Sequence, residues 1–227
     1  MGTFEAFYAS PMQHPFLLWL VAGLAIGFCA SREGLSAGLR RYCIALGVLS
    51  LLDAWLSSSH IIGIGGLSGA LARVVPLFFV LAGDFRFLLL AVSATPDGGI
   101  QVSGAKVAVA LGLTAIVPIS SQMILLLVPD SMDQTRMMFF IYEVEFVILT
   151  LCLMRFHENV RGVAWVGRVS RFVIVYYSLW ATADLIILTT GADLGYLLRV
   201  VPNLLYYGGL IGVMGYFASV ADASEPG

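Results

Sequence analysis

"GALARVVP" occupies Gly69–Pro76 and "GYLLRVVP" occupies Gly195–Pro202, with Gly, Leu, Arg, Val, Val and Pro in the same places. Each octapeptide carries one arginine into a long apolar run. The register extends beyond the motif. Gly83 and Gly209 follow their prolines at equal distance, and Asp53 and Asp184 precede the octapeptides in corresponding runs. One run earlier again, "CASR" (Cys29–Arg32) matches "CLMR" (Cys152–Arg155), each followed by a basic connection.

Composition says what kind of chain repeats itself this way. Of 227 residues, 59% are hydrophobic and 11% charged. A soluble domain carries about a quarter charged residues. Mean hydropathy is +0.94, and apolar runs of membrane-crossing length recur along the chain. Seven spans are expected, near Pro15–Ser31, Tyr42–Ser59, Ala70–Ala94, Lys106–Val128, Met137–Met154, Phe172–Gly191 and Leu197–Val220. Gly, Pro, Asp and Ser punctuate every connection between them. The lipid bilayer is therefore the expected surrounding.

An odd number of spans puts the termini on opposite sides. With the N-terminus outside, nine of the basic residues lie inside or near inner helix ends, and only Arg73, Arg136 and Arg199 lie toward the outside. This is the sense of the positive-inside rule. The expected location is a bacterial inner (plasma) membrane with a cytoplasmic C-terminus. Cys29, Cys43 and Cys152 then sit near the reducing side, and no disulfide is implied. The first residues carry an acid and no base, unlike a signal peptide, so the first run reads as a retained helix. A net charge of −2 with few basic residues suggests no nucleic-acid surface.

The registered features divide the chain into repeat 1 (about 15–94), a connector helix (about 106–128) and repeat 2 (about 137–220). The expected fold is thus all-α, one seven-helix transmembrane domain with a parallel 3+1+3 internal duplication about an axis along the membrane normal. This plan resembles the architecture of the SWEET and PQ-loop transporters, the nicotinamide riboside transporters and the microbial rhodopsins. The resemblance implies a fold and no site. Rhodopsins of that kind attach retinal to a lysine of the last helix. The corresponding stretch here is "PNLLYYGGLIG", and Lys106 is the chain's only lysine. Covalent retinal is therefore excluded, and no cofactor is expected.

An ionisable group within a bilayer costs at least a few kcal/mol and faces a partner or a wet cavity. By helical rise, Asp53 and Asp184 lie roughly 10 Å below the outer helix ends. Glu143 is at similar depth, and Arg73 and Arg199 can reach inward from the rim along their stems. These five are the candidate substrate-binding residues. Asp84, Glu143 and Asp184 are candidates for a proton relay, since acids outnumber bases within the spans. Glu143 and Glu145 point about 200° apart on a helix, so only one faces the interior; Glu143 is preferred. The plainer reading is that Asp53 and Asp184 neutralise Arg73 and Arg199 and hold the two halves together. Pro76 and Pro202 are candidate hinges.

No CxxC, HxxxH or other metal-ligand cluster is present, and no nucleophile–base set or phosphate loop stands out. An enzyme is not indicated. The expected function is a small-solute transporter, proton-coupled if the acids relay, with its site between the two triplets. The alternative is a receptor, sensor or accessory subunit that signals through the basic loop 155–171. Such a loop is also where a cytoplasmic partner would dock. The ligand and homo-oligomerisation stay open.

Overall fold

Helices that are apolar around most of their circumference bury their few polar residues and turn the rest outward. That pattern organises the computed structural model, which describes residues 1–56, 58, 71–129 and 131–221. For 71–77 it describes the backbone alone, so the side chains of Arg73 and Pro76 lie outside the described residues. Chain order runs α1 (Thr3–Tyr8), a π-helical turn (Met12–Leu17), α2 (Leu18–Ser31), α3 (Ala37–Leu56) and α4 (Leu71–Ser93). It continues through α5 (Gly104–Leu125), α6 (Gln134–Phe156), the short α7 (Glu158–Gly162), α8 (Ala164–Thr190) and α9 (Leu194–Leu204). A second π-helical turn (Leu205–Gly209) leads into α10 (Leu210–Ser219). Among the described residues no β-strand forms.

Among the described residues, five segments are long and apolar enough to cross a membrane, as in an integral membrane protein: Met12–Ser31, α5, α6, α8 and Leu194–Ser219. α3 and α4 are of similar length, with Arg40, Arg41 and Asp53 on α3, and Arg73, Asp84 and Arg86 on α4. Leu20, Leu24, Ile119, Met123, Ile148 and Val175 are exposed on the outer faces. Apolar surface of that extent is rare on a soluble monomer.

The long helices pack in chain order. α2 lies on α3, α4 on α5, α5 on α6, α6 on α8 and α8 on α9 and α10, while α10 returns to α2 and closes the ring. Small residues permit the closest approaches. A Cβ on Gly208 would meet the Val21 carbonyl oxygen at 2.5 Å, and one on Gly215 would meet Cys29 Sγ at 2.7 Å. The small residues of "GGLIGVMGY" (Gly208–Tyr216) thus form a seam with α2.

One end of the ring is basic. There Arg32 Nε donates to Ser219 Oγ at 2.9 Å, Asn159 Nδ2 to the Ala91 carbonyl at 2.7 Å, and Trp165 Nε1 to the Thr95 carbonyl at 2.9 Å. The half of the bundle beside it is an apolar core of Leu39, Leu88, Leu90, Val166, Val169, Val173 and Met214, all fully buried. The opposite end carries α1, the α5–α6 connection and the α8–α9 connection.

Three features differ from the sequence expectation. The basic stretch 155–171 is largely helical: α7 lies within it, and α8 begins at Ala164, eight residues before the expected Phe172. Val166, Val169, Ser170 and Val173 sit at helical spacing and are buried, so packing extends the helix where charge suggested a loop. The last span is interrupted: Pro202 lies inside α9, and the widened turn follows it. Proline removes a backbone donor, and π turns absorb such breaks. Finally, the N-terminal residues form α1, whose first turn is capped by Asp193. Its carboxylate accepts from the Phe4 and Glu5 amides at 2.9 and 2.8 Å.

Candidate ligand-binding site

A cavity of about 580 Å³ opens into the ring from the end opposite the basic one. That is an ordinary size for a small-molecule site. Three helices contribute a polar or aromatic stripe at three- to four-residue spacing. α6 supplies Arg136, Phe139, Tyr142 and Glu143; α8 supplies Tyr177 and Trp180; α9 and its π turn supply Arg199, Asn203, Tyr206 and Tyr207. Tyr8 of α1, His14 of the first π-helical turn, Asp53 of α3, Val80 and Asp84 of α4, and Asp133 and Thr135 at the start of α6 complete the wall.

The upper part is a charge cluster centred on Asp184, which is fully buried. Arg136 Nη1 donates to Asp184 Oδ1 at 2.8 Å, and Arg199 Nη1 closes on the same oxygen. Arg199 Nη1 also lies 4.0 Å from Glu143 Oε1. Tyr8 anchors the other side: its hydroxyl accepts from Arg199 Nε at 3.2 Å and from Asn203 Nδ2 at 3.4 Å. Trp180 Nε1 donates to Asn203 Oδ1 at 2.8 Å. Two buried oxygens, Asp184 Oδ2 and Glu143 Oε2, take no hydrogen bond from the described residues. Buried polar atoms are normally satisfied by protein or ordered water, so these two mark where a further donor fits.

The lower part is organised by Asp84 and Arg86, neighbours in sequence that face different partners. Asp84 accepts one hydroxyl from Tyr142 and one from Tyr177. Arg86 donates to Ser50 Oγ at 2.8 Å and to the Tyr206 carbonyl at 2.7 Å, with its guanidinium 4.1 Å from the centre of the Tyr206 ring. Asp53 is in electrostatic contact with Arg86 and Tyr207. Gly83 makes room here, because the Tyr206 hydroxyl fills the space a Cβ would take. Below this layer Phe87, Phe146 and Tyr176 are buried and lead into the leucine and valine core.

The candidates thus fall in two groups. Glu143, Asp184 and Arg199 come together in one cluster. Asp53 and Asp84 lie deeper in the same cavity. Arg73 lies outside the described residues in its side chain, as does Pro76. Arg199 takes Asp184 rather than Asp53. Glu145 turns away from the cavity: its Oε2 accepts the Ser121 hydroxyl of α5. Pro202 sits one turn below Arg199, next to the π turn that carries Tyr206 and Tyr207.

Arg136, Tyr8 and Asn203 are not among the expected site residues. Arg136 looks like a loop cation, yet it shares a helical face with Phe139 and Glu143, and that spacing is the signal that places it. Tyr8 had no signal, since nothing local ties α1 to α9. The chain matches no protein-family model and no curated protein.

Proposed function

We propose that the protein is a seven-helix membrane transporter for a small solute, with α3 and α4 as the two spans beyond the five apolar ones. Its site is the cavity around Glu143, Asp184 and Arg199. The observation that carries this reading is the cavity itself. It gathers ionisable groups from α3, α4, α6, α8 and α9 at mid-helix depth, where polar residues are costly and functional. The break after Pro202 supports it, because interrupted helices line transporter sites. The basic end faces the cytoplasm on this reading, so the cavity opens outward. The parallel 3+1+3 duplication belongs to the same proposal: α2–α4 corresponds to α6, α8 and α9–α10, with α5 as connector.

A second reading is a receptor. The core below Arg86 favours it: leucines and valines fill it, and the hydroxyls of Thr150 and Ser170 buried there each donate to a carbonyl of their own helix. Reconstitution separates the two. Solutes are first ranked by how much they raise the melting temperature of the purified full chain, then offered to proteoliposomes. A transporter accumulates the stabilising solute inside the vesicle. A receptor binds it and leaves the lumen empty. If no member of a panel of organic cations, anions and neutral solutes stabilises the protein, both readings fail.

A further inference from the structure

Glu143 and Asp184 share one guanidinium nitrogen. Arg199 Nη1 closes on Asp184 Oδ1 and lies 4.0 Å from Glu143 Oε1. The two acids are also in hydrogen-bonding contact with each other. Glu143 is 5% exposed and Asp184 is fully buried, and Glu143 Oε2 and Asp184 Oδ2 each take no hydrogen bond from the described residues. An ionised carboxylate can only accept. Two buried acceptors in contact repel unless a proton lies on one of them, as when two carboxylates share a site.

The surroundings decide which acid carries it. Asp184 is held by both Arg136 and Arg199 and stays ionised. Glu143 has only the longer contact with Arg199. The other titratable groups nearby act on the arginines. Asp133 lies 4.0 Å from Arg136 Nε, the Tyr196 hydroxyl accepts from Arg136 Nη2 at 3.4 Å, and the Tyr8 hydroxyl accepts from Arg199 Nε at 3.2 Å. Glu145, on α6 itself, turns to Ser121. Deeper in the cavity, Asp84 takes its two tyrosine hydroxyls, and the His14 ring meets the edge of Tyr207 at 6.4 Å between centres.

We propose that Glu143 and Asp184 hold one proton between them, carried on Glu143, as the proton-binding site of the cavity. Glu143 lines the cavity, while Asp184 is closed off behind it. The proton therefore passes between the Glu143 carboxyl and cavity water. A solute that donates a hydrogen bond to Glu143 takes the proton's place, so binding releases a proton. This coupling rests on the reading of the cavity as a ligand site; the shared proton does not.

Infrared spectroscopy of the purified full chain in lipid tests the pair with the proton itself as probe. Exposed carboxyls are ionised at pH 7, so a protonated-acid carbonyl band that persists there is expected from this pair. It should shift to lower frequency in D2O, because the cavity opens to water. Glu143→Gln should remove it and Glu145→Gln should leave it. If Glu143→Gln does not unfold cooperatively, Glu143→Asp replaces it and should move the band. No band in the natural chain at pH 7, or one that neither change at Glu143 alters, overturns the shared proton and leaves the ligand site standing. The panel solute that most raises the melting temperature should reduce the band. A band which that solute leaves unchanged overturns the coupling alone. If no panel solute stabilises the chain, the coupling falls with the ligand site, and the band still decides the proton.

Discussion

Arg136 Nη1 lies 2.8 Å from Asp184 Oδ1, the same oxygen on which Arg199 closes. One fully buried carboxylate therefore ties the start of α6 and the middle of α9 to α8. Its removal should strand two guanidiniums. Asp184→Asn is expected to cost about 3–5 kcal/mol, as for other broken buried pairs, and Asp184→Asn with Arg199→Met should regain part of it. The readout is thermal unfolding of the full chain in detergent. An Asp184→Asn protein as stable as the natural one would deny Asp184 this joining role.

The α2–α10 seam makes a sharper stability contrast. At Gly208 an added Cβ meets the Val21 backbone, which cannot turn away, whereas nothing lies within 4 Å of the corresponding position at Gly212. Gly208→Ala is expected to destabilise by about 1–3 kcal/mol through overpacking. Gly212→Ala should be neutral or stabilise by up to about 1 kcal/mol through helix propensity. Equal effects at the two glycines would mean that α2 does not pack there as described.

Two glutamates one residue apart on either side of Val144 should behave differently. Glu143 faces the cavity, and Glu145 accepts a hydroxyl from Ser121 on α5. Glu145→Gln keeps an acceptor for that hydroxyl and should change solute binding less than twofold, while Glu143→Gln should weaken it about tenfold or more. Isothermal titration with the stabilising solute checks both. The reverse order would place the site on the α5 side of α6.

Sidedness is open to direct labelling. With exposed Cys152 replaced by Ser, only the buried Cys29 and Cys43 remain. A cysteine at Ser131, in the α5–α6 connection, should react with an impermeant maleimide added to intact cells. A cysteine at Arg161, on α7, should react only after permeabilisation. The opposite pattern would invert the orientation and make the cavity face inward.

Much of this was legible in the sequence because membrane helices announce themselves twice, by apolar length and by rare charges. Asp53, Asp84, Glu143, Asp184 and Arg199 stand out against leucine and valine. All five line or back one cavity, and the helical angle between Glu143 and Glu145 separates those two correctly. What was not legible depends on long-range packing. The sequence assigns Arg199 no partner in preference to another, since Asp53 and Asp184 are equivalent until α8 and α9 are placed side by side. Arg136 was read as a rim charge because its distance from Asp184 is set by how α6 leans on α8. The basic stretch 155–171 misled in the other direction. Arg168 and Arg171 lie on the outside of α8, whose buried face there, Val166, Val169 and Val173, is short and easily taken for loop composition.

The most direct test of the central claim, a cavity that opens on the outer side, is accessibility. Asn203 lines the cavity between Tyr8 and Trp180. Asn203→Cys in the Cys152→Ser background can be treated from outside with two methanethiosulfonates, one bearing a trimethylammonium group and one bearing a sulfonate. The expected result is modification by both reagents added from outside. No modification from outside would contradict it.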